Sequence, residues 1–428
     1  MSNYNVLIIG SGGREHAFAH KLSSSKLLNK LFVAPGNAGT ASIATNIHIK
    51  DSDFEAIKNA VIENQIELVV VGPEMPLVLG IVDFFKDDEA LKNVLIIGPD
   101  KAGALLEGSK DFAKQFMIKH AVPTAAYQSF DANQIQQAYQ FLDTLQAPYV
   151  LKASGLAAGK GVLIINELEE AKSKLAEMLN GMFGDASATV VIEEFLHGIE
   201  ISVFVLTDGN SYQILPSAKD YKRIGVNDEG LNTGGMGAVS PVPFADDAFM
   251  KIVEETIVVP TVKGIKEEGF NYKGFVFIGI MNCNGIPKVI EYNCRMGDPE
   301  TESVLMRIQS DLLQHLLACA SQKLSHETVV ISEQTALTVV IASGGYPEAF
   351  TKGYMIENKN MNHDELMVFH AGTVSSDANV CTAGGRVLAV TSLGHNITDA
   401  QQKTYQAIKN ISFTKMYFRS DIGNDLLQ

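Results

Sequence analysis

Val289-Ile-Glu-Tyr-Asn-Cys-Arg-Met-Gly-Asp-Pro-Glu-Thr301 decides how this chain is read. Side chains alternate along a strand, so Glu291, Asn293 and Arg295 share one face and Ile290, Tyr292 and Cys294 the other. One face then offers two oxygen ligands and a guanidinium. Mg²⁺ takes few protein oxygens and completes its octahedron with water and phosphates, which suits Glu291 and Asn293 to a metal–nucleotide site. Arg295 suits a carboxylate or a phosphoryl group in transfer. The plainer alternative is an edge strand with accidental polar alternation.

Upstream, Lys152-Ala-Ser-Gly-Leu-Ala-Ala-Gly-Lys-Gly-Val162 has the look of a P-loop and fails the test. Gly155 and Gly159 have three residues between them rather than four, and Lys160 precedes Gly161 instead of a hydroxyl residue. The better reading is strand, Gly-rich turn, strand. Backbone amides of Gly155, Gly159, Lys160 and Gly161 would fold over a triphosphate, with Lys152 reaching the phosphates from the preceding strand. A plain hairpin is the alternative. In Val191-Ile-Glu-Glu-Phe-Leu-His-Gly-Ile-Glu-Ile-Ser202, a strand ends on the acids Glu193 and Glu194. Backbone groups near Phe195 and Leu196 would then pair with an adenine edge, and Glu200 would take ribose hydroxyls. Surface Glu pairs are common, so this segment decides little alone. Asp220-Tyr-Lys-Arg223 and Asn232-Thr-Gly-Gly-Met-Gly237 lie in a Gly- and Pro-rich stretch, 216–243, with little periodicity. They read as a cradle for a small zwitterion or anion, or as a solvated charged turn; a loop that long is usually functional.

Residues 1 to about 100 alternate short apolar runs (6–9, 31–33, 68–71 and 94–97) with helical stretches at 14–25 and 53–64. That pattern implies a parallel sheet covered on both faces, with ligands beyond the carboxyl ends of its strands. Gly10-Ser-Gly-Gly-Arg14 fails the dinucleotide fingerprint because Glu15 stands where the third glycine belongs. Its amides and Arg14 could hold a single phosphate, unless the segment is only a tight turn. Farther on, the pattern predicts helices over 110–120, 167–180, 246–268 and near 301–320. It predicts strands over 189–193, 199–207, 274–282 and 287–293. The last hundred residues read as a small separate α/β unit, with strands 335–342 and 386–391 and a helix near 398–410.

A chain of 428 residues exceeds one core and predicts two to four domains. With 34 basic against 49 acidic residues the net charge is −15, which argues against a nucleic-acid surface. Four scattered cysteines fit neither a zinc site nor a disulfide framework. The N-terminus lacks a signal-peptide pattern, and no apolar run is long enough to span a membrane. The expectation is a cytoplasmic protein with no membrane partner.

Taken together the segments resemble the ATP-grasp superfamily and, within it, the phosphoribosylamine–glycine ligases. The resemblance rests on Gly10–His16, Ala34–Thr40, Val71–Glu74, Leu106–Lys110, Gly155–Gly161, Asn232–Gly237, Glu291–Arg295 with Gly297–Thr301, and Gly384–Arg386, in order along nearly the whole chain. It implies an α/β fold: a Rossmann-like parallel-sheet N-terminal domain (1–104), an ATP-grasp domain (105–325) with a mobile flap at about 124–193, and a C-terminal α/β cap (326–428). It implies that Lys110 and Lys152 contact nucleotide phosphates, and that Glu291 and Asn293 bind Mg²⁺ or Mn²⁺. Phosphoribosylamine would sit near Gly12, Gly13, Arg14 and Glu15 with Glu74 close by. Glycine would be held by Asp220 and Arg295 under Gly234, Gly235 and Gly237, and Asp220, Arg295 and Lys152 would serve catalysis. A monomer or weak homodimer is expected. Family members commonly carry Gln and His where Lys219 and Tyr221 stand, and Gln at Glu302. The implied reaction makes glycyl phosphate from glycine and ATP, then glycinamide ribonucleotide. Two rivals stand beside it: another ATP-grasp ligase of the purine pathway, and a nucleotide-binding relative without catalysis.

Overall fold

The computed structural model describes residues 3–157, 160–358, 362–377 and 379–427. Its longest strand, Tyr272–Cys283, joins the two halves of a nine-stranded sheet. On one edge it pairs antiparallel with Ile199–Thr207. The other edge is shared end to end. Ile286–Asn293 takes Phe277 to Cys283, and Leu95–Pro99 takes Tyr272 and Lys273. From Leu95–Pro99 the sheet runs on through Leu68–Val71, Tyr4–Gly10, Leu28–Pro35 and Thr45–Asn46, all parallel. Leu68–Val71 is buried end to end and Tyr4–Gly10 beyond its first residue, as strands covered on both faces must be.

A second sheet of four antiparallel strands, Tyr127–Asp131, Thr189–Glu193, Tyr149–Ala153 and Val162–Ile165, packs the apolar faces of helices Ile135–Leu142 and Leu168–Glu177. Lys152 opposes Val162 across the hairpin, as the strand–turn–strand reading requires.

A third sheet contains Thr335–Ser343, Arg386–Gly394 and Leu366–His370, backed by helix Ile397–Ile408. It is not built from the last hundred residues alone. Gly237–Ser240 pairs with Thr335–Ser343, and Lys219–Asp220 pairs with Gly237–Ser240. The aperiodic stretch 216–243 therefore carries two short strands. Each is too short to leave a periodic signature.

Two helices differ from expectation. The stretch 301–320 is two helices, Glu300–Arg307 and Leu312–Ala320. Ile308 turns extended and bridges to Ile331, and Asp311 caps the new start by accepting from the Leu313 and Gln314 amides. The helix over 246–268 is continuous but has a π turn at Glu254–Val258, just ahead of Pro260. A wider turn relieves the clash between the Pro260 ring and the carbonyl four residues before it, which no proline amide hydrogen can bond.

Candidate active site

The strand Ile286–Asn293 keeps the expected alternation from Glu291 onward, but a register shift against Tyr272–Cys283 skips Ile290, so Val289 rather than Ile290 joins Tyr292 in the core. Tyr292 and Cys294 are buried in the core, the Tyr292 hydroxyl lying 2.6 Å from that of Thr261. Glu291 lies opposite Gly279, and its carboxylate forms neither a hydrogen bond nor an ion pair among the described residues. Burial would raise its pKa, but Lys222, Lys152, Lys110 and Arg295 outweigh that and hold it below the ordinary carboxylate value. Asn293 Oδ1 accepts weakly from Arg295 Nη2 at 3.3 Å. No cluster of three or more His, Cys, Asp or Glu with metal-holding geometry occurs among the described residues. An unpaired carboxylate beside an amide oxygen nonetheless fits a Mg²⁺ that draws its other oxygens from phosphates and water.

Lys152 reaches Glu291's strand from the four-stranded sheet. Its Nζ lies 3.0 Å from Glu193 Oε2 and 3.4 Å from the Ile290 carbonyl. Lys114 Nζ meets the same Glu193 oxygen at 3.1 Å and donates to Thr124 Oγ1. Burial lowers the Lys114 pKa to about 8. Glu193 is thus held between two lysines, and its other oxygen is buried without a partner. Lys110 opens the helix Lys110–Lys119, whose Ser109 cap and backbone bond to Ser154 tie it to the Gly-rich turn. Burial lowers its pKa, with Glu291 opposing and Lys152 adding to the effect.

The remaining nucleotide candidates divide. Gly155 and Gly161 lie against Ala186 and Ala153, where a side chain would collide or crowd, and Lys160 is exposed. Gly159 lies outside the described residues. Glu194 accepts from the Ala126 amide and from Lys288, both at 3.0 Å, which commits it to joining neighbouring segments. Phe195 and Leu196 follow in the connection to Ile199–Thr207, the Phe195 ring 4.8 Å from that of His197. Glu200 is bonded by Lys222.

Asp220 lies in a group with Lys222, Glu300 and Glu200. Burial raises its pKa to about 7, with Glu300 and Glu200 adding and Lys222 opposing. The Gly-rich loop beside it is pinned from the C-terminal sheet. Arg386 donates to the Gly234 carbonyl at 2.6 Å and that of Asp298 at 2.7 Å, and Gly234 N donates to the Tyr346 hydroxyl. Gly235 touches Pro299, and Gly237 is a strand residue against Thr338. Lys219 and Tyr221 point the other way, both bonded to Asp425.

At the N-terminal helix, whose N-cap is Gly12, Glu15 turns back to accept from Gly12 N at 2.6 Å, and pairs with Arg14 Nε at 2.6 Å. In this structure the Gly12 amide is therefore bonded within its own turn. Gly10, at φ +126°, and Gly72 are glycines for Glu15's sake. A Cβ on either would stand 2.5 or 2.0 Å from its carboxyl group. Arg14 Nη1 donates to the Met296 carbonyl at 3.1 Å, and Arg295 Nη1 donates to the same oxygen at 3.3 Å. Arg295 also pairs with Glu107 at 2.6 Å and approaches Glu74 at 3.4 Å. Burial would raise Glu74, but Arg295 and Arg14 hold it below its ordinary value. One carbonyl thus joins the proposed sugar-phosphate corner to the proposed acyl-transfer corner.

Sequence reasoning quoted Glu107 and Glu300 within motifs and gave them no role. Lys114 was missed outright, although it lies one helical turn beyond Lys110. Glu302 was noted only as a departure. It is buried with both carboxyl oxygens unpartnered, and a Cβ on Gly13 would stand 2.2 Å from one of them. Burial, reinforced by Asp298, raises its pKa well above the ordinary value. A raised folded-state pKa contributes stability that is present below the unfolded pKa and lost as pH rises through the folded one. Glu302→Gln should therefore raise the unfolding free energy at pH 8, by about 1.4 kcal/mol for each unit by which burial lifts the acid's pKa up to that pH. The gain should vanish near pH 4. Denaturant midpoints across pH check this, and a variant less stable than the parent at pH 8 would refute it.

Family models of phosphoribosylglycinamide synthetase match the chain in three parts: its N domain over residues 4–107, its ATP-grasp (A) domain over 108–301 and its C domain over 336–425. The phosphoribosylamine–glycine ligase of Vibrio parahaemolyticus is 44% identical over 423 residues, 98% of this chain and 97% of its own length. The chain belongs to the phosphoribosylamine–glycine ligase family. The phosphoribosylamine–glycine ligase of Escherichia coli O157:H7 is 45% identical over 424 residues, with the same coverage. The crystal structure of the Thermotoga maritima phosphoribosylamine–glycine ligase superposes with a TM-score of 0.84 at 34% identity, over 98% of this chain and all of that one. A biotin carboxylase from Campylobacter jejuni, 15% identical with a TM-score of 0.75, covers 97% of this chain and 93% of its own and shares the fold alone. The mixed α/β architecture is the ATP-grasp fold that the ligase family uses, as the sequence motifs implied.

Proposed function

We infer that this chain is an ATP-dependent carbon–nitrogen ligase that joins glycine to 5-phosphoribosylamine in purine synthesis. The products are glycinamide ribonucleotide, ADP and phosphate. The observation that carries the reading is the convergence of Lys110, Lys152, Lys222 and Arg295 on the unpaired Glu291, with Arg14 one carbonyl away from Arg295.

Glycine's carboxylate is a poor acylating agent. Transfer of the γ-phosphoryl group from ATP gives glycyl phosphate, which the 1-amino group of phosphoribosylamine attacks, expelling phosphate. The protein's part is to place charges and exclude water. ATP and Mg²⁺ are the general requirements of the ATP-grasp fold. The metal neutralises phosphate charge, Glu291 and Asn293 are the residues proposed to hold it, and Mn²⁺ is proposed as a substitute. Lys110 and Lys152 are assigned to the phosphates. Backbone near Phe195 and Leu196 is assigned to adenine. Asp220, with Arg295, is assigned to glycine, and Gly12 to Glu15 with Glu74 to the sugar phosphate. The domain limits proposed are 1–104, 105–325 with a flap at about 124–193, and 326–428. No helix among the described residues is long and apolar enough to cross a membrane. A cytoplasmic monomer or weak homodimer completes the proposal.

Phosphate release with ATP and freshly made phosphoribosylamine should require glycine. Full activity with bicarbonate or formate in its place would move the chain to a different ATP-grasp reaction. No release under any combination would favour a nucleotide-binding relative without catalysis.

A further inference from the structure

The loop that carries Asp220 and Lys222 has a second side, and the C-terminal segment grips it. Tyr417 donates to the Ile224 carbonyl at 2.7 Å. Arg419 Nη1 donates to the Arg223 carbonyl at 3.1 Å and to Asp228 Oδ1 at 2.6 Å. Its Nε and Nη2 take both oxygens of Asp421 at 2.9 and 2.7 Å. Asp421 in turn accepts from the Asn227 amide at 2.8 Å. Tyr221 donates to Asp425 at 2.6 Å and accepts from the Gly423 amide at 3.0 Å. The guanidinium of Arg419 lies over the Tyr221 ring, 5.2 Å from its centre. Arg419 is 1% exposed, so its charge is matched by Asp228 and Asp421 and hardly at all by water.

Backbone geometry makes this grip relevant to the site. Tyr221 lies between Asp220 and Lys222, and its side chain is buried toward the C-terminal segment. Its two neighbours interact electrostatically with Glu200 and Glu300 on the other side. Movement of Arg223 to Asp228 is thus passed to Asp220 and Lys222 through a few peptide units. An arginine with four hydrogen bonds in a fixed fork is suited to hold a loop in one register.

We propose that Arg419 is a positioning residue for the ligation reaction: acting through Arg223 and Asp228, it holds Asp220 and Lys222 in the arrangement that binds the amino-acid substrate. This rests on the assignment of Asp220 to glycine above.

The test uses the full-length enzyme and two substitutions. Asp228→Asn alters a half-exposed partner on the loop and should leave the fold intact. Arg419→Lys keeps the charge and loses the fork. Each should raise the KM for glycine severalfold to about tenfold, the effect of stripping a charge-assisted hydrogen bond of its charge or its fork. The KM values for ATP and phosphoribosylamine should stay within about twofold of the parent on the same scale. Equal increases for all three substrates, or no change in any at unaltered melting temperature, would overturn the positioning role. If Arg419→Lys fails to fold, Asp228→Asn alone decides. A parent enzyme that shows no glycine-dependent phosphate release would instead overturn the functional reading, so the two failures are distinguishable.

Discussion

Glu291→Gln lowers turnover about thirtyfold to a thousandfold, the rate equivalent of losing roughly 2 to 4 kcal/mol of charge-assisted stabilisation. The carboxylate stands unpaired amid Lys110, Lys152, Lys222 and Arg295, and its pKa is held below the ordinary value by those cations. A group in that setting is an anion at neutral pH with no protein partner to lose. Replacing it with an amide removes the charge that opposes a divalent cation and removes no internal hydrogen bond. The denaturant midpoint should fall modestly, because the four cations lose the anion that offsets them, while turnover at limiting Mg²⁺ collapses. Near-parental turnover at limiting Mg²⁺ in a folded variant would sink the metal assignment.

Arg295→Met should damage both the fold and the reaction. Glu107 is buried, and Arg295 is its cation at 2.6 Å. Breaking a buried pair by removing one member costs about 3–5 kcal/mol, because the other charge is left stranded. The same guanidinium is the one proposed to meet the charge that develops on the transferring group, and its loss should cost about a hundredfold to a thousandfold in turnover. The double variant Glu107→Gln with Arg295→Met separates the two effects. It should recover most of the stability and none of the turnover, since a neutral pair is cheap to bury but cannot stabilise an anion. Recovery of turnover along with stability would make Arg295 a structural residue only.

What the sequence made legible followed its periodicity. Strands Thr189–Glu193 and Ile199–Thr207 end where their apolar runs end, and Glu291, Asn293 and Arg295 fall together because a strand has a period of two. The partnerships between distant segments were not legible. Nothing local in 216–243 announces that Gly237–Ser240 will find Thr335–Ser343, and nothing near Ile308 announces a bridge to Ile331 that breaks a helix. Glu107 was hidden for the same reason. It reads as an ordinary helix-face acid until Arg295, 188 positions away, is brought against it. The bond from the Gly12 amide to Glu15 was not legible either, because a glutamate three residues into a helix is common and carries no label of its own. Local chemistry was readable, and its pairing across the chain was not.

The shared edge of Tyr272–Cys283 has a consequence for how the chain comes to be made. Leu95–Pro99 ends the parallel half of the sheet, and its outer neighbours are Tyr272 and Lys273. A ribosome releases the first of these partners roughly 170 residues before the second, and contacts so distant in sequence slow folding because loop closure precedes any gain. During that interval the nascent N-terminal half exposes the main-chain edge of Leu95–Pro99, the kind of surface that pairs with a stranger. Its brevity, and the Pro99 that ends it, limit what a second chain could add there. The newborn half is therefore guarded by the shortness of its last strand until its own later sequence arrives to cover it.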